Sequence, residues 1–374
     1  MNWASRSLDE LGYVSRGRSR HRPRDAAHLY GGPYPFVQTG DIKHAGLTLS
    51  RYSQTYSEAG LAQSRLWPAG TLCITIAANI ADTAILGIDA CFPDSVIGFQ
   101  PNDKEADGRF IKYLFDALLQ KRFKQFTQGA AQDNLSQSKL LSLKFPIPNI
   151  AVQSRIADIL SAYDNLIENN RRRIALLEQS ARLLYKEWFV HLRFPGHEHV
   201  KIKDGVPEGW ERKPLKDIAP FHYGKALKKE SRIPGEFPVF GSSGIVGTHT
   251  KALVKGPGII VGRKGNVGSV FWSSSDFHPI DTVYFIEPED CSHYLYYALL
   301  NTKFINTDVA VPGLNRDYAH SRKVVVPNST LLDLFERAVA AVQKQIDQLT
   351  KHSEFLSVAR DLLLPRLMSG EIAV

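Results

Sequence analysis

The sequence has few cysteines, no long apolar run and no recognisable leader. Cys73, Cys91 and Cys291 are far apart and form no C-x-x-C pair, so neither a disulfide framework nor a zinc site is indicated. No apolar stretch approaches the roughly 18–20 residues of a membrane-spanning helix. The first residues also lack the apolar core of a signal peptide. These absences predict a cytoplasmic protein whose cysteines are buried free thiols.

Motifs of several enzyme classes are missing as well. There is no [DN]-P-P-[FY] tetrad for amino methylation and no G-x-x-x-x-G-K-[ST] phosphate loop. The stretch GPGIIVG departs from G-x-G-x-x-G because Val261 stands where the third glycine belongs. Asp41 and Lys43 form a bare D-x-K, as nucleases use, but a second acid is not evident. An enzyme that acts alone is therefore a disfavoured alternative.

What the sequence does have is length, apolar content and positive charge. Its 374 residues are too many for one ordinary domain and suggest two or three. A hydrophobic content of 43% is enough for packed cores. The formal net charge is +8 and the isoelectric point is about 9.2. This balance favours an anionic partner such as nucleic acid.

Positive charge is concentrated in the stretch VSRGRSRHRPRD near the start of the chain. Arginine occupies positions 16, 18, 20, 22 and 24. An extended segment places alternate side chains on one side, whereas a helix would scatter them around its circumference. The row therefore predicts a strip that meets a polyanion, with a solvated loop as the alternative.

Two long helical segments repeat along the chain. An offset of 179 aligns Pro148-Asn149 with Pro327-Asn328 at their openings, and no gap is needed. Apolar residues recur in steps of four and three, which is the heptad pattern of a coiled-coil seam. The predicted seam is Ile156, Leu160, Tyr163, Ile167, Asn170, Ile174, Leu177, Ala181, Leu184 and Trp188, and then Phe335, Val339, Val342, Ile346, Leu349, Ser353, Leu356, Arg360, Leu363 and Leu367. The alternatives are two helices that pack separately on globular cores, or a coiled-coil scaffold that binds no DNA.

The segments before the two helices also repeat. Each copy reads as short strands rich in Val, Ile, Phe and Tyr, broken by Gly and Pro, and then a helix. The matched stretches are NWASRSLDELGYVSRGRS with GWERKPLKDIAPFHYGKA, YPFVQTGDI with FPVFGSSGI, PAGTLCITIA with KGPGIIVGRK, CFPDSVIGF with FHPIDTVYF, and YLFDALL with YLYYALL. The predicted order is a domain (1–147), a helix (148–193), a polar linker (194–209), a second domain (210–326) and a second helix (327–374).

In this order, the two halves resemble the specificity subunit of a type I DNA restriction-modification enzyme. The resemblance rests on GDIKHAG and GSSGIVG after the first strands, GRKGNVGSV in the second domain, the Pro-Asn openings and the central ADILSAYDNLIENNRRRIALLEQSARLLYKEWF. It implies an α+β fold with two pseudo-repeated target-recognition domains. Two long helices would separate these domains and pair as an antiparallel coiled coil.

The resemblance also implies a function in which this chain is not itself catalytic. Each domain of such a subunit reads one half of a bipartite, asymmetric target in double-stranded DNA, and the helices set the spacing. Two methyltransferase subunits dock on it, and restriction subunits join through them. S-adenosylmethionine, ATP and magnesium are therefore expected on the partners, and no cofactor or metal is expected in this chain.

The candidate DNA-binding residues carry basic, amide or hydroxyl side chains, which bind phosphates or base edges. They lie in the arginine strip and its counterpart in the second half, in strand-end turns, and in loops. The set is Arg16, Arg18, Arg20, Arg22, Gln38, Thr39, Lys43, Gln132, Asn134, Lys225, Lys228, Lys229, Ser242, Ser243, Arg263, Lys264, Asn266, Asn315 and Arg316. Turn capping, a tight hairpin and helix capping are the alternatives for the turn and loop residues. The HEH stretch at 197–199 is interpreted as linker histidines rather than metal ligands.

Full antiparallel overlap of the helices predicts which seam residues face each other. Asn170 would face Ser353, a polar pair that fixes the register at some cost in stability. Tyr163 would face Arg360, whose guanidinium would stack on the ring or bond its hydroxyl. A parallel pairing would instead place Asn170 against Leu349. The remaining predicted pairs are Ala181 with Val342 and Trp188 with Phe335.

Overall fold

The computed structural model describes residues 3–77, 80–126, 135–306 and 312–374. The chain divides into two units. Unit 1 consists of two separate segments, Met1–Arg171 and Lys351–Val374, whereas unit 2 is the continuous segment Arg172–Thr350. Each unit combines strands with short helices and with part of both long helices. The predicted α+β class is therefore confirmed.

Unit 1 contains two main sheets and a separate strand pair. The first sheet has the order β2-β10-β7-β8-β4, the second has the order β5-β3-β9-β6, and β1 pairs with β11. The strands are β1 Ala4–Arg6, β2 Gly12–Arg16, β3 Tyr30–Phe36, β4 Thr48–Leu49, β5 Gln54–Tyr56, β6 Leu66–Trp67, β7 Leu72–Thr75, β8 Thr83–Leu86, β9 Ala90–Cys91, β10 Val96–Pro101 and β11 Phe145–Ile147.

Unit 2 repeats this topology with one strand fewer in each of its two main sheets. Its sheets have the orders β15-β21-β18-β19 and β17-β16-β20, β14 pairs with β22, and β12 pairs with β13. In each unit one strand of the second sheet pairs in parallel with its neighbour, β3 with β9 and β16 with β20. The strands are β12 Ile202–Lys203, β13 Val206–Pro207, β14 Glu211–Pro214, β15 His222–Tyr223, β16 Phe237–Gly241, β17 Gly244–His249, β18 Gly258–Gly262, β19 Val270–Ser273, β20 His278–Pro279, β21 Val283–Ile286 and β22 Lys323–Val326.

The Pro-Asn dipeptides begin the two long helices because asparagine is a good N-cap. Asn149 Oδ1 accepts the Val152 N–H at 3.0 Å, and Asn328 Oδ1 accepts the Leu331 N–H at 2.9 Å. The first helix continues into a π-helical turn over Lys186–Val190. The α-helices are α1 Thr39–His44, α2 Glu58–Ala62, α3 Gly108–Phe126, α4 Gln137–Ser142, α5 Ile150–Tyr185, α6 His293–Asn301, α7 Arg316–Ser321 and α8 Ser329–Met368.

Gly17 and Gly224 occupy the same place in the two folds. The Gly17 N–H donates to the Val96 carbonyl at 2.9 Å, and the Gly224 N–H donates to the Val283 carbonyl at 3.2 Å. A Cβ on Gly17 would lie 2.3 Å from the Phe92 carbonyl oxygen, and one on Gly224 would lie 2.1 Å from that of Ile280. Only glycine allows this close approach of two backbones, so the match between the halves has a steric cause.

Each unit buries its own half of the helix pair against its own sheet. All predicted seam residues are buried or partly buried. In unit 1, the core joins sheet, α3 and seam residues, among them Ile74, Phe99, Phe110, Leu114, Ile156, Leu160 and Leu367. In unit 2, the core includes Ile259, Val261, Tyr284, Leu295, Leu299, Ala181, Phe335 and Val339. Burial of this apolar surface is what holds the long helices in place.

The two helices run antiparallel within each unit. Asn170 Nδ2 donates to Ser353 Oγ at 3.2 Å in unit 1, as predicted. In unit 2 the ring centroids of Trp188 and Phe335 are 5.9 Å apart, also as predicted. The parallel alternative, with Asn170 against Leu349, is therefore wrong.

One predicted seam contact is also wrong. Arg360 neither stacks on the Tyr163 ring nor bonds its hydroxyl, because its guanidinium forms ion pairs with Asp164 and Asp361. A carboxylate offers the guanidinium a charge-assisted bond, which is stronger than contact with a neutral ring. Asp164 lies one position beyond the heptad residue, so the heptad pattern did not include it.

The segment predicted as a polar linker has structure of its own. It contains the short β12-β13 pair, and Phe194 is buried with its ring centroid 4.8 Å from that of Trp210. The three cysteines are free, and burial raises the pKa of Cys73 and Cys291. Across the part of the chain that the structure describes, no helix has the length and apolar character needed to cross a membrane.

Candidate nucleic-acid interface

The first part of the arginine strip, from Arg16 to Arg20, is extended and points its cations outward. Arg16, Arg18 and Arg20 are exposed, whereas the intervening Gly17 and Ser19 are buried. This alternation is the one expected of an extended segment and was predicted from the spacing of the arginines. It ends at Arg20, because residues 22–25 form a bend and a turn and are all exposed, so the prediction that all five arginines share one side is wrong for Arg22 and Arg24. The strip is thus an ordered edge of unit 1 rather than a frayed loop.

The five arginines of the strip fall into two groups. The side chains of Arg18 and Arg20 form no hydrogen bond or ion pair with any described residue. The other three are held by local partners: Arg16 Nε by the Asp94 carbonyl (2.9 Å), Arg22 Nη1 by the Ser19 carbonyl (2.7 Å) and Arg24 Nη2 by the Asp94 carboxylate (2.9 Å). Arg18 and Arg20 are therefore the cations that are free to meet an anion.

A neighbouring segment fixes the backbone of the strip. Gln63 Oε1 accepts the backbone N–H groups of Arg20 and His21, and Ser64 Oγ donates to the Arg18 carbonyl at 2.8 Å. These bonds use the main chain and leave the guanidinium groups unoccupied. The strip can therefore present its cations without the cost of ordering its backbone on binding.

The next residue along this segment, Arg65, was missed at the level of sequence. Its guanidinium carbon lies 4.1 Å from the Trp67 ring centroid and 4.9 Å from that of Tyr13, and Nη1 donates to Tyr13 Oη at 2.8 Å. Tyr13 is half-exposed. No local pattern links Tyr13 to Arg65, because folding brings together residues that are far apart in sequence.

Three candidates of unit 1 belong to a helix or its N-cap instead of the predicted strand-end turn. Gln38 is the N-cap of α1, and Thr39 and Lys43 lie within this helix. The Asp41 carboxylate accepts the Gln38 backbone N–H at 2.8 Å, so it caps the helix and explains the D-x-K stretch without catalysis. Gln38 Nε2 donates to Gln54 Oε1 at 2.6 Å. Gln132 and Asn134 lie outside the described residues.

Unit 2 carries a cation at the position that Arg18 occupies in unit 1. The Arg18 N–H donates to the Phe92 carbonyl at 3.1 Å, and the Lys225 N–H donates to the Pro279 carbonyl at 2.9 Å. Both residues directly follow the glycines that match between the folds. Lys225 is exposed, as are Lys228 and Lys229 beyond it. The predicted recurrence of basic residues thus has a shared structural position.

Two of the predicted stretches of unit 2 meet in space. Asn266 Nδ2 in the glycine-rich loop donates to Ser243 Oγ at 3.1 Å, in the turn between β16 and β17. Ser269 Oγ donates to the Ser242 carbonyl at 2.7 Å in the same turn. Gly265, with φ of 78°, takes the left-handed conformation that the loop requires. The turn and the loop therefore form one surface.

A third predicted stretch joins this surface from the segment before α8. Lys264 pairs with Gly313 as an isolated bridge, and the Leu314 N–H donates to the Arg263 carbonyl at 2.8 Å. Asn315 Oδ1 accepts the Tyr318 N–H at 3.0 Å, so the capping alternative applies to Asn315. The structure thus gathers Arg263, Lys264 and the residues after Gly313 into one basic cluster.

An exposed tyrosine lies under the two arginines of this cluster. The guanidinium carbons of Arg263 and Arg316 are 5.3 Å and 5.1 Å from the Tyr223 ring centroid. Arg316 Nε is buried and has no hydrogen-bond partner among the described residues. Burial and the nearby Arg316 charge lower the pKa of His320, which accepts the Phe221 N–H through Nε2. His320 is therefore neutral at pH 7 and adds no charge to the cluster.

Metal-ligating side chains do not gather in the described part of the chain. No group of three or more His, Cys, Asp or Glu residues is placed to hold an ion there. His197, Glu198 and His199 form a short 3-10 turn in which Glu198 lies beside both imidazoles. The two histidines thus contact this carboxylate rather than converge on a common point with a third ligand.

The long helices carry apolar residues outside the seam. Phe355 and Leu362 of unit 1 and Leu176 and Leu183 of unit 2 are each more than half exposed. The offset of 179 relates Leu176 to Phe355 and Leu183 to Leu362, so the two pairs are equivalent in the repeat. Residues seven apart lie on one face of a helix. Each unit therefore presents the same exposed apolar face, called here the helix face.

Comparison with known proteins gives a consistent result. Residues 1–179 and 207–327 match the family described as the type I restriction modification DNA specificity domain. The chain is 24% identical over 419 residues to the type I restriction enzyme MjaIX specificity subunit of Methanocaldococcus jannaschii, covering 100% of this chain and 94% of that protein. It is 22% identical over 461 residues to the HindI specificity subunit of Haemophilus influenzae, covering 97% and 98%.

A solved structure shares the fold over nearly the whole chain. The type I restriction-modification system S subunit from M. genitalium superposes with a TM-score of 0.60 and 21% identity. The match covers 98% of this chain and 96% of that one. It therefore includes both units, along with the long helices.

Proposed function

The chain belongs to the type I restriction modification DNA specificity family, and we propose that it is the DNA-reading subunit of such a complex. The observation that carries the proposal is the cation that recurs after the matched glycines, Arg18 in unit 1 and Lys225 in unit 2. Two folds that share a backbone and differ in most side chains place a free positive charge at the same point. Phosphate binding explains that common feature.

The target we propose is bipartite and asymmetric. Each unit has candidate DNA-binding residues of its own, and their side chains differ between the units. In unit 1 they lie in the arginine strip and at α1, and in unit 2 they lie in the turn of Ser242 and Ser243 and the loop of Arg263 and Lys264. Different side chains at equivalent places support the reading of two different half-sites.

The proposed protein partners are two methyltransferase subunits, one for each helix face. Exposed apolar residues that repeat at an offset of 179 support two equivalent docking sites. Phe355 and Leu362 would serve one site, and Leu176 and Leu183 the other. Large exposed apolar residues are a usual mark of protein contacts. Restriction subunits would then join through the methyltransferases.

In this proposal the chain contributes binding and spacing but no chemistry. S-adenosylmethionine, ATP and magnesium would be held by the partner subunits. A direct test is to incubate the purified chain with DNA and S-adenosylmethionine, with and without a methyltransferase partner. Methylation only with the partner is expected. Methylation by the chain alone would favour the rival enzyme class.

DNA binding itself is tested by a salt series. We expect Arg18→Ala with Arg20→Ala to weaken binding to all duplexes and to flatten the dependence on salt, by about one unit of log-log slope per lost phosphate contact. The control is Arg24→Ala, compared with each of the single variants Arg18→Ala and Arg20→Ala. It also removes one positive charge from the strip, but that charge is already paired with Asp94. No gel shift by the unmodified chain at low salt would favour a scaffold that binds no DNA.

A further inference from the structure

We infer that Arg65 is a specificity-determining residue that reads a guanine in the half-site contacted by unit 1. The inference rests on the DNA-reading function proposed above and adds a residue outside the predicted set. Its basis is the way in which the structure holds this guanidinium, compared with the free guanidinium groups beside it.

Arg65 is held on two rings. The Trp67 ring is fully buried and stacks on Phe92 with centroids 4.9 Å apart, so it is a rigid support. Tyr13 Oη fixes the second edge of the guanidinium by accepting from Nη1 at 2.8 Å. Stacking on aromatic faces is a contact that guanidinium makes and ammonium does not reproduce. The side chain therefore has one preferred orientation before any ligand arrives.

The guanidinium still has donors to offer. It carries five N–H groups, of which Tyr13 takes one. Nε and Nη2 of Arg65 form no hydrogen bond with any described residue, and the side chain is partly exposed. Two adjacent donors match the O6 and N7 acceptors of guanine in the major groove, the commonest specific contact of arginine.

The position of Arg65 places it where DNA would arrive. Gln63 and Ser64, just before it, hold the backbone of the strip that carries Arg18 and Arg20. Those two side chains are exposed and form no hydrogen bond or ion pair with any described residue, which suits contacts with phosphates. Arg65 has already lost most of its rotamer freedom, so a directional contact costs it less entropy. The two kinds of arginine thus suit two kinds of contact.

Unit 2 supplies an independent second case. Tyr223 is half-exposed and lies under Arg263 and Arg316, beside the cation Lys225. In unit 2 the arginines follow β18 and begin α7, whereas in unit 1 Arg65 directly precedes β6. An arginine over a half-exposed tyrosine therefore occurs in both units, although Tyr13 and Tyr223 are at different distances along the chain from the matched glycines. Local packing alone would not require that recurrence.

The test is selection from a library of randomised DNA duplexes by the full-length chain, followed by sequencing. The variants are Arg65→Lys, which keeps the charge, and Arg65→Gln. We expect both to lower the preference for guanine at one position of one half-site by about tenfold or more, because a bidentate contact is lost. The second half-site should be unchanged. With Arg65→Lys the salt slope of affinity should also be unchanged, because the charge remains.

The control is Arg20→Ala, which should weaken all sequences alike and leave base preferences as they were. Unaltered guanine preference in both Arg65 variants would overturn the role of Arg65 while leaving the proposed function intact. Loss of one entire half-site in Arg65→Lys would also overturn it, since that result assigns Arg65 to the scaffold. If the unmodified chain enriches no sequence, the proposed function fails and this inference fails with it.

Discussion

At matching positions of the internal repeat, the helix pair is polar in unit 1 and apolar in unit 2. Asn170 bonds Ser353 in unit 1. The offset of 179 relates this pair to Leu349 and Ile174, which lie in unit 2. The same heptad position is thus polar in one unit and apolar in the other. The repeat preserves the backbone and the heptad, and it leaves the choice of side chain open.

A second difference between the helix pairs is an ion pair that only unit 1 has at the matched positions. In unit 1, Arg360 pairs with Asp164, and Tyr113 Oη donates to the same carboxylate at 2.5 Å. Burial and the Asp164 charge raise the pKa of Tyr113, which therefore stays protonated as a donor. In unit 2, the position equivalent to Arg360 is the buried Ala181, and the one equivalent to Asp164 is Gln343.

The outer ends of the seam differ in a third way. Unit 1 closes with Ile156 and Leu367, both buried. At the equivalent positions unit 2 has Phe335 and Trp188, and Phe335 is surrounded by further rings. Aromatic and aliphatic residues of such different volume do not exchange without voids or clashes. The end of α5 in each unit is therefore complementary to the end of α8 in the same unit. Two copies of one helix would not pack equally well at these ends.

The largest effect is expected from Phe335→Ala in unit 2. It should lower the free energy of unfolding of that unit by about 4 kcal/mol, because a cavity is left among the rings. Hydrogen exchange should show faster exchange in α6 and β22, with no change in α3. Phe335→Ile, which copies unit 1, should cost less than the alanine. If Phe335→Ala and Phe335→Ile lowered the free energy of unfolding equally, the outer ends of the two helix pairs would not share the same backbone arrangement.

A smaller effect is expected from Asp164→Ala in unit 1. The change removes a partner from both Tyr113 and Arg360, so we expect a loss of about 2–3 kcal/mol, reduced by the partial exposure of Arg360 and its pairing with Asp361. The double variant Asp164→Gln with Arg360→Ala copies unit 2 and should recover most of the loss. Urea unfolding measures both. No recovery would show that unit 1 requires the ion pair itself.

The smallest effect is expected from Asn170→Leu, which gives unit 1 the leucine that unit 2 has at the equivalent position, Leu349. Stability should rise on the order of 1 kcal/mol, since a polar pair in a seam fixes register at a cost. Alignment should become less strict. Pairs of engineered cysteines one heptad out of register should then crosslink, although they do not in the unmodified helices. A loss of stability, with no such crosslinks, would mean that the polar pair is a net stabilising contact.

Much of this helix pair could be predicted from the sequence because a heptad is a local pattern. The spacing of apolar residues predicts the seam. The assumption of antiparallel overlap then predicts the contacts of Asn170 with Ser353 and of Trp188 with Phe335, which the structure confirms. The ion pair of Arg360 with Asp164 was missed because Asp164 flanks the seam. Flanking positions are polar in any exposed helix, so their pattern does not distinguish a partner from a solvated charge.

The candidate interface was less predictable, because its geometry depends on distant residues. The alternation of the arginine strip is local, and the exposure of Arg18 and Arg20 follows it. The stacking of Arg65 on Tyr13 joins the segment before β6 to the strand β2. Neither segment has a sequence pattern that predicts this contact. The sequence predicts a turn where α1 lies, because the six residues of this helix carry the same capping chemistry as a turn.

The discontinuity of unit 1 has a consequence for how the protein is made. Unit 2 is one continuous segment, so a ribosome delivers all of it before it delivers residues 351–374. Nascent domains fold as units from the N-terminal side. Unit 1 is begun first and finished after unit 2, and until then Ile156 and Leu160 lack Leu363 and Leu367 of α8, which share their core. During that interval these residues are open to a chaperone or to a neighbouring nascent chain.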